Sequence, residues 1–190
     1  VLEEQTAVTA EAVLTQIQAD REYYASTIVP RLTALQARIS ADYQHTPNAF
    51  PLPATFIREV TEMIANSPAG YRIKLISPWP INKKNGIQDP FQEEGFKALL
   101  TTNTKMFKRQ DRVGGTTVMR FLAPDRAIAQ SCVGCHNSHP SSPKQDFRLN
   151  DIMGGVEISI PIESALQSAR RDQLWLVAGG GGISFIVMLL

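Results

Sequence analysis

The sequence predicts an α+β fold, a small antiparallel sheet flanked by helices and entered through one long N-terminal helix. Three observations carry this. Apolar residues recur at helical spacing over 3–40. Two segments, 71–77 and 152–162, alternate apolar and polar residues as strands do. Gly114-Gly115 divides two further strand-like runs as a hairpin turn would. The order is helices, a strand, a helix, strands, a long loop and a last strand, which is that of an α+β domain.

In the first helix Val8, Ala12, Ile17, Tyr24, Ile28 and Leu32 mark the apolar face, no Gly intervenes, and Pro30 predicts a kink. Residues 45–53, with Pro47, Pro51 and Pro53, read as a loop. A helix is expected from Pro53 to Asn66, with Pro at its start and Phe56, Val60 and Met63/Ile64 on one face. Ser67-Pro68-Ala69-Gly70 ends it. Tyr71–Ser77 reads as a strand and residues 78–90 as a Pro/Asn/Gly loop. Phe91–Leu100 reads as a helix with Phe91, Gly95/Phe96 and Leu99/Leu100 inward. Residues 105–113 and 116–123 form the hairpin. Residues 125–150 are a long, polar, Pro-containing segment, the place to seek function in a compact domain. Ile152–Ile162 closes the sheet, with Val156, Ile158 and Ile160 alternating with Glu157 and Ser159. From Glu163 a last helix is predicted to continue into an apolar run.

The chain has 190 residues, 43% hydrophobic and 19% charged, with a formal net charge of +1 and only two cysteines. That composition excludes a wholly disordered chain, a basic nucleic-acid binder and a disulfide scaffold. The sequence starts at Val1 with no signal pattern, so a processed or truncated N-terminus is expected. Leu174 to Leu190 carries no charge. Seventeen helical residues reach roughly 25 Å, marginal for a bilayer. A transmembrane helix over 173–190, with Trp175 at the interface, is set against a buried core helix. The soluble unit is then residues 1–172. Gly179–Gly182 weaken an isolated helix, and would let a second helix approach closely in a membrane.

Both cysteines lie in Cys132-Val133-Gly134-Cys135-His136. C-x-x-C-H is the attachment signal for haem c. Thiols three positions apart on one helical turn can each form a thioether to the same porphyrin. The adjacent His136 then supplies an imidazole nitrogen as proximal iron ligand. Rival readings are a thioredoxin-like redox pair, a zinc site with His139 as third ligand, and a chance match. One covalently attached haem c implies a domain outside the cytoplasm, on the periplasmic or lumenal side of a membrane. Arg170 and Arg171 argue the other way by the positive-inside rule, which large translocated domains override.

The distal iron ligand stays open among His45, His139, Met63, Met106, Met119 and Met153. Arg72, Lys74, Tyr23, Tyr24 and Arg120 are propionate partners by residue type alone. No acid–base constellation marks an enzyme.

Four stretches carry a family resemblance: Arg21-Glu-Tyr-Tyr24 with Val29-Pro-Arg-Leu32; Pro53-Ala-Thr-Phe56; Tyr71–Ser77 with Pro80-Ile-Asn82 and Asn85; and Cys132–Pro140 with Ser142-Pro-Lys144 and Gly154-Gly-Val-Glu157. The chain resembles the PAS-like single-haem c-type sensor domains, which occur as bacterial extracytoplasmic modules and as a stand-alone cyanobacterial haem protein. The resemblance implies a PAS-like sheet with haem packed against it. It also implies a redox or gas sensor ahead of a membrane helix and an output module, which would have to follow Leu190. It implies nothing for the distal ligand, because the stand-alone member uses a cysteine there and both cysteines here are assigned to attachment. The second reading is an electron-transfer haem subunit of a larger membrane complex. Expected partners are the membrane, other membrane subunits or a second copy, and a redox partner or small gas, with no nucleic acid.

Overall fold

The structure, a computed structural model, describes residues 2–65, 70–102, 104–163 and Leu166. Helix α1 (Leu2–Tyr23) passes through a π-turn (Tyr24–Ile28) into α2 (Val29–Ala34). The π-turn bond runs from Val29 N–H to the Tyr24 carbonyl. Pro30 has no N–H to give and its ring crowds the carbonyl four residues back, so a widened turn accommodates it where the sequence predicts a kink.

The helix stops six residues earlier than expected. Gln36 takes a left-handed φ of 60°. Its N–H donates to the Thr33 carbonyl at 2.9 Å, and the Ala37 N–H to the Leu32 carbonyl at 3.0 Å. This is a Schellman cap with Gln in the usual glycine place, which is why periodicity alone overran it. The freed chain forms β1 (Arg38–Ser40), parallel to β2 (Ala49–Pro51) in the expected loop.

α1 buries Thr6, Ala10 and Ile17 and the π-turn buries Tyr24, while Val8 is 64% exposed. The predicted stripe is rotated because Thr6 satisfies its hydroxyl on the Leu2 and Glu3 carbonyls, at 3.0 and 2.9 Å. α3 (Pro53–Ala65) likewise buries Thr55, Ile57 and Thr61, and leaves Met63 exposed.

Strands β3 (Arg72–Ile76), β4 (Phe107–Val113), β5 (Thr116–Arg126) and β6 (Ile152–Pro161) form an antiparallel sheet in the order β3-β6-β5-β4. Gly114 and Gly115 turn the β4–β5 hairpin at φ 57° and 84°, angles that glycine adopts without strain. Alternation along the strands gives the sheet two covered faces. On one, Ile73, Met119, Phe121, Val156 and Ile158 meet Ala10 and Ile17 of α1 and Ile57 of α3.

On the other face, Ile76 and Leu122 meet Phe91, Phe96 and Leu99 of α4 (Pro90–Thr101). Leu100, expected inward, is exposed. α4 sits low on the sheet: a Cβ at Gly155 would come within 2.7 Å of Leu122 and 3.1 Å of Phe96.

Where α4 covers the second face, polar residues of β5 and β6 are buried too. Arg120 bonds Glu157 at 2.9 Å, Asp111 at 2.9 Å and Asp89 at 2.7 Å. Gln92 donates to Glu157 at 2.7 Å. Arg120 is therefore a structural cation under α4, its hydrogen bonds taken by these carboxylates rather than by a propionate. Among the described residues no helix is long and apolar enough to cross a membrane. The segment expected to do so, 173–190, lies outside the described residues.

Candidate functional site

The expected long loop after the hairpin is shorter than its sequence reads. β5 runs on through Pro124 to Arg126, and Gln130–Ser138 forms α5. The helix starts where Ala129 is extended, its carbonyl accepting from Cys132 N–H at 3.0 Å, and gives way at His139, just before Pro140. Nine residues are too few for a helix to stand alone. α5 is held by docking: Cys132 and Val133 pack on a cluster of Ala127, Phe147 and Met153, which Trp79 also joins.

Cys132 and Cys135 are both free thiols, the first half-buried and the second exposed. Spacings of three and four residues set Cys132, Cys135 and His136 on neighbouring positions of one helix face. The His136 ring stands edge-on to Phe147, with centroids 5.8 Å apart at 89°. Phe147 in turn meets Trp79 edge-on at 5.7 Å, and the Lys144 ammonium lies 4.8 Å from its ring centre. Asn137 fixes this partner segment: its amide donates to the Phe147 carbonyl at 2.9 Å and accepts from the Phe147 N–H at 3.0 Å.

Arg21 of α1 is ion-paired with Asp125 near the end of β5, close enough for its charge to act on the motif helix. Burial holds the His136 imidazole below its ordinary pKa, and the charge of Arg21 adds to this. The ring is thereby kept neutral, the form that ligates a metal. Among the described residues two buried side-chain polar atoms have no hydrogen-bond partner, Arg21 Nε and His136 Nδ1. Both belong to this site. Buried polar atoms are normally satisfied, so a pair of orphans in one place fits a polar or metal-bearing group lodged there.

The other sequence candidates are dispersed. His45 is exposed, with Nδ1 2.6 Å from Asp42. His139 accepts from the Ser141 N–H at 3.1 Å. Met119 lies in the core beneath α1, with Met106 packed against it. Met153 alone of these candidates shares the cluster under α5. Tyr23 is exposed; Tyr24 is buried, stacked on Phe56 at 4.5 Å and bonded to the Pro51 carbonyl at 3.0 Å. Arg72 and Lys74 are exposed on β3. Among the described residues no group of three or more His, Cys, Asp or Glu is placed to hold a metal ion, so the zinc reading finds no ligand set. A hollow of about 420 Å³ opens between Trp79, Leu99, Arg126, Lys144 and Ile152, and none of Cys132, Cys135 and His136 lines it.

Sequence reasoning missed the roles of Arg21, Asn137 and Phe147. For Arg21 a signal existed: a charged residue four after Ile17 and three before Tyr24 falls on the apolar stripe of α1.

The family described as Tll0287-like matches residues 1–161. Among solved structures, the cyanobacterial heme-protein Tll0287 superposes with a TM-score of 0.58, covering 83% of this chain and 95% of that one at 16% identity. That likeness shows a shared fold, the helix-flanked antiparallel sheet expected from the resemblance. No curated protein matches the chain.

Proposed function

The chain belongs to the Tll0287-like family, and from that membership we propose a haem protein that senses redox state or a small gas. One haem c is carried by α5. Cys132 and Cys135 would hold it through thioethers, each S–H added across a vinyl group, and His136 would offer its imidazole to the iron. The observation that carries this reading is the pairing of C-x-x-C-H on one docked helix with an orphaned, buried His136 Nδ1. Bound haem would supply a redox-active iron able to change charge or take a small ligand.

What this chain does around that iron is hold and exclude. Phe147, Trp79 and Met153 cover α5 on its inner side. Sensing is favoured over electron carriage because four of the six distal candidates stand away from α5: His45 and Met63 are exposed, and Met106 and Met119 belong to the sheet core, which leaves Met153 in the cluster under α5 and His139 at its end. An iron that neither of these two bound would be open to a gas. The domain would lie outside the cytoplasm, where haem c is attached, tethered by residues 173–190, and it would act without enzymatic turnover.

The test is expression with a haem c attachment system, followed by visible spectra of the oxidised and reduced protein, with and without CO. Covalent haem lost in Cys132→Ser and His136→Ala, with prompt CO binding by the unaltered protein, is the expected result. Full haem content in both variants would refute haem c attachment. A Met–iron charge-transfer band with no CO binding would favour the electron-transfer subunit.

A further inference from the structure

Arg21 is a cation on the buried stripe of α1. Its side chain is 13% exposed, one η nitrogen is bonded to Asp125, and Nε is buried without a partner. Burial pulls its pKa down, and a negative charge at Cys132 would push it back up, so the guanidinium and the motif helix share a field. Arginine stays protonated in proteins, so its burial has to be offset by hydrogen bonds. Asp125 uses only one part of the planar group. The Nε–H, with the N–H of the η nitrogen beside it, forms a two-donor edge shaped to take a second carboxylate in parallel bonds. No side chain takes Nε, and His136 Nδ1, the other orphan, feels the same guanidinium.

We infer that the Nε edge of Arg21 binds a propionate carboxylate of the haem, with Asp125 holding the guanidinium in place. The inference rests on the haem reading above and adds the residue through which the cofactor reaches α1. Arg21 stands just before the π-turn at Tyr24–Ile28, so the contact would tie the haem to the place where the long helix changes pitch.

The test uses the full chain with haem attached, as Arg21→Gln and Arg21→Lys. The readouts are haem per chain, the resonance Raman band of propionate bending, and the reduction potential. Haem content stays at the unaltered level, because attachment belongs to Cys132 and Cys135. The propionate band shifts down in Arg21→Gln and less in Arg21→Lys, which keeps the charge and loses the two-donor edge. The potential drops in Arg21→Gln, since a nearby cation favours the electron-rich state. If Arg21→Gln does not fold, the band in Arg21→Lys decides. An unshifted band at full haem content in each variant that folds overturns the inference and leaves the haem reading standing. Absence of haem from the unaltered chain overturns both.

Discussion

Replacing Asn137 by Ala asks whether the motif helix and the segment after it are one mechanical unit. The Asn137 amide exchanges two hydrogen bonds with the Phe147 backbone, at 2.9 and 3.0 Å, and Phe147 is only 3% exposed. A hydrogen bond of this kind nets about 1 kcal/mol, so losing both costs about 2 kcal/mol, and more where the freed peptide groups stay dry. For a domain with a urea slope of about 2 kcal/mol per molar, the unfolding midpoint falls by about 1 M. The Phe147 amide should exchange with solvent about thirty-fold faster, at 1.4 kcal/mol per tenfold. Asn137→Asp separates the two halves of the clamp. Its carboxylate still accepts from Phe147 N–H but cannot donate to the carbonyl, so the midpoint falls while that amide keeps most of its protection. Urea titration and amide exchange by mass spectrometry measure both. An Asn137→Ala protein with the original midpoint and original exchange at Phe147 would refute the clamp.

Two further substitutions test the other side of the sheet. Gly155→Ala puts a methyl 2.7 Å from Leu122; overpacking of this kind costs about 1–3 kcal/mol, and a thermal midpoint equal to the original would show that α4 does not sit as low as described. Arg120→Met removes the cation shared by Asp89, Asp111 and Glu157, a loss of about 3–5 kcal/mol at neutral pH. The pH dependence follows from Asp111. Burial raises its pKa, but the Arg112 N–H and the Arg120 guanidinium outweigh that and hold it below the usual carboxylate value. A carboxyl depressed by folding contributes fully above its unfolded pKa, and that contribution is lost as pH falls through the lower folded one. Stability of the unaltered protein should therefore decline below the usual carboxylate value, and Arg120→Met should decline less over the same acid window. A steeper decline in Arg120→Met would contradict the assigned cause.

The sheet and the motif were legible in the sequence for different reasons. Strand alternation at 71–77 and 152–162 and the Gly114-Gly115 turn are local signals, and each lies within a residue or two of the observed element. C-x-x-C-H is local as well. What misled was of two kinds, local hydrogen bonds that spacing does not show and partners distant in sequence. Val8 looks inward by spacing, but Thr6 displaces it by bonding its hydroxyl to the turn behind. Glu157 alternates as a solvent residue would, and α4 then covers it and supplies Gln92. Gln36 caps the first helix without the glycine that would have announced the cap. Arg21 and Asp125 are 104 residues apart, and nothing in either neighbourhood declares the other.

The anchorage of α5 bears on how a signal could leave the site. The helix buries no residue completely and has two attachments and a third, electrostatic neighbour. Ala127 and Met153 receive Cys132 and Val133, Phe147 is clamped to Asn137, and the Arg21–Asp125 pair stands beside the motif. These link the motif to β5, to the following segment and to α1. Of the three, the link to β5 is the stiffest: its last residues, Ala123–Arg126, pair with β6 alone and shift register at Asp125/Arg126, but they continue a strand paired on both sides over Val118–Leu122 and crossed by the Arg120 network. α1 is softer: its hydrogen-bond pattern already changes at Tyr24, just after Arg21. On the sensing reading, a change of ligand or charge at the iron meets a fixed sheet on one side and a yielding helix on the other. Displacement divides in favour of the weaker spring. The N-terminal helix, rather than the sheet, is then the element expected to move, and Arg21 is the side chain through which it would be moved.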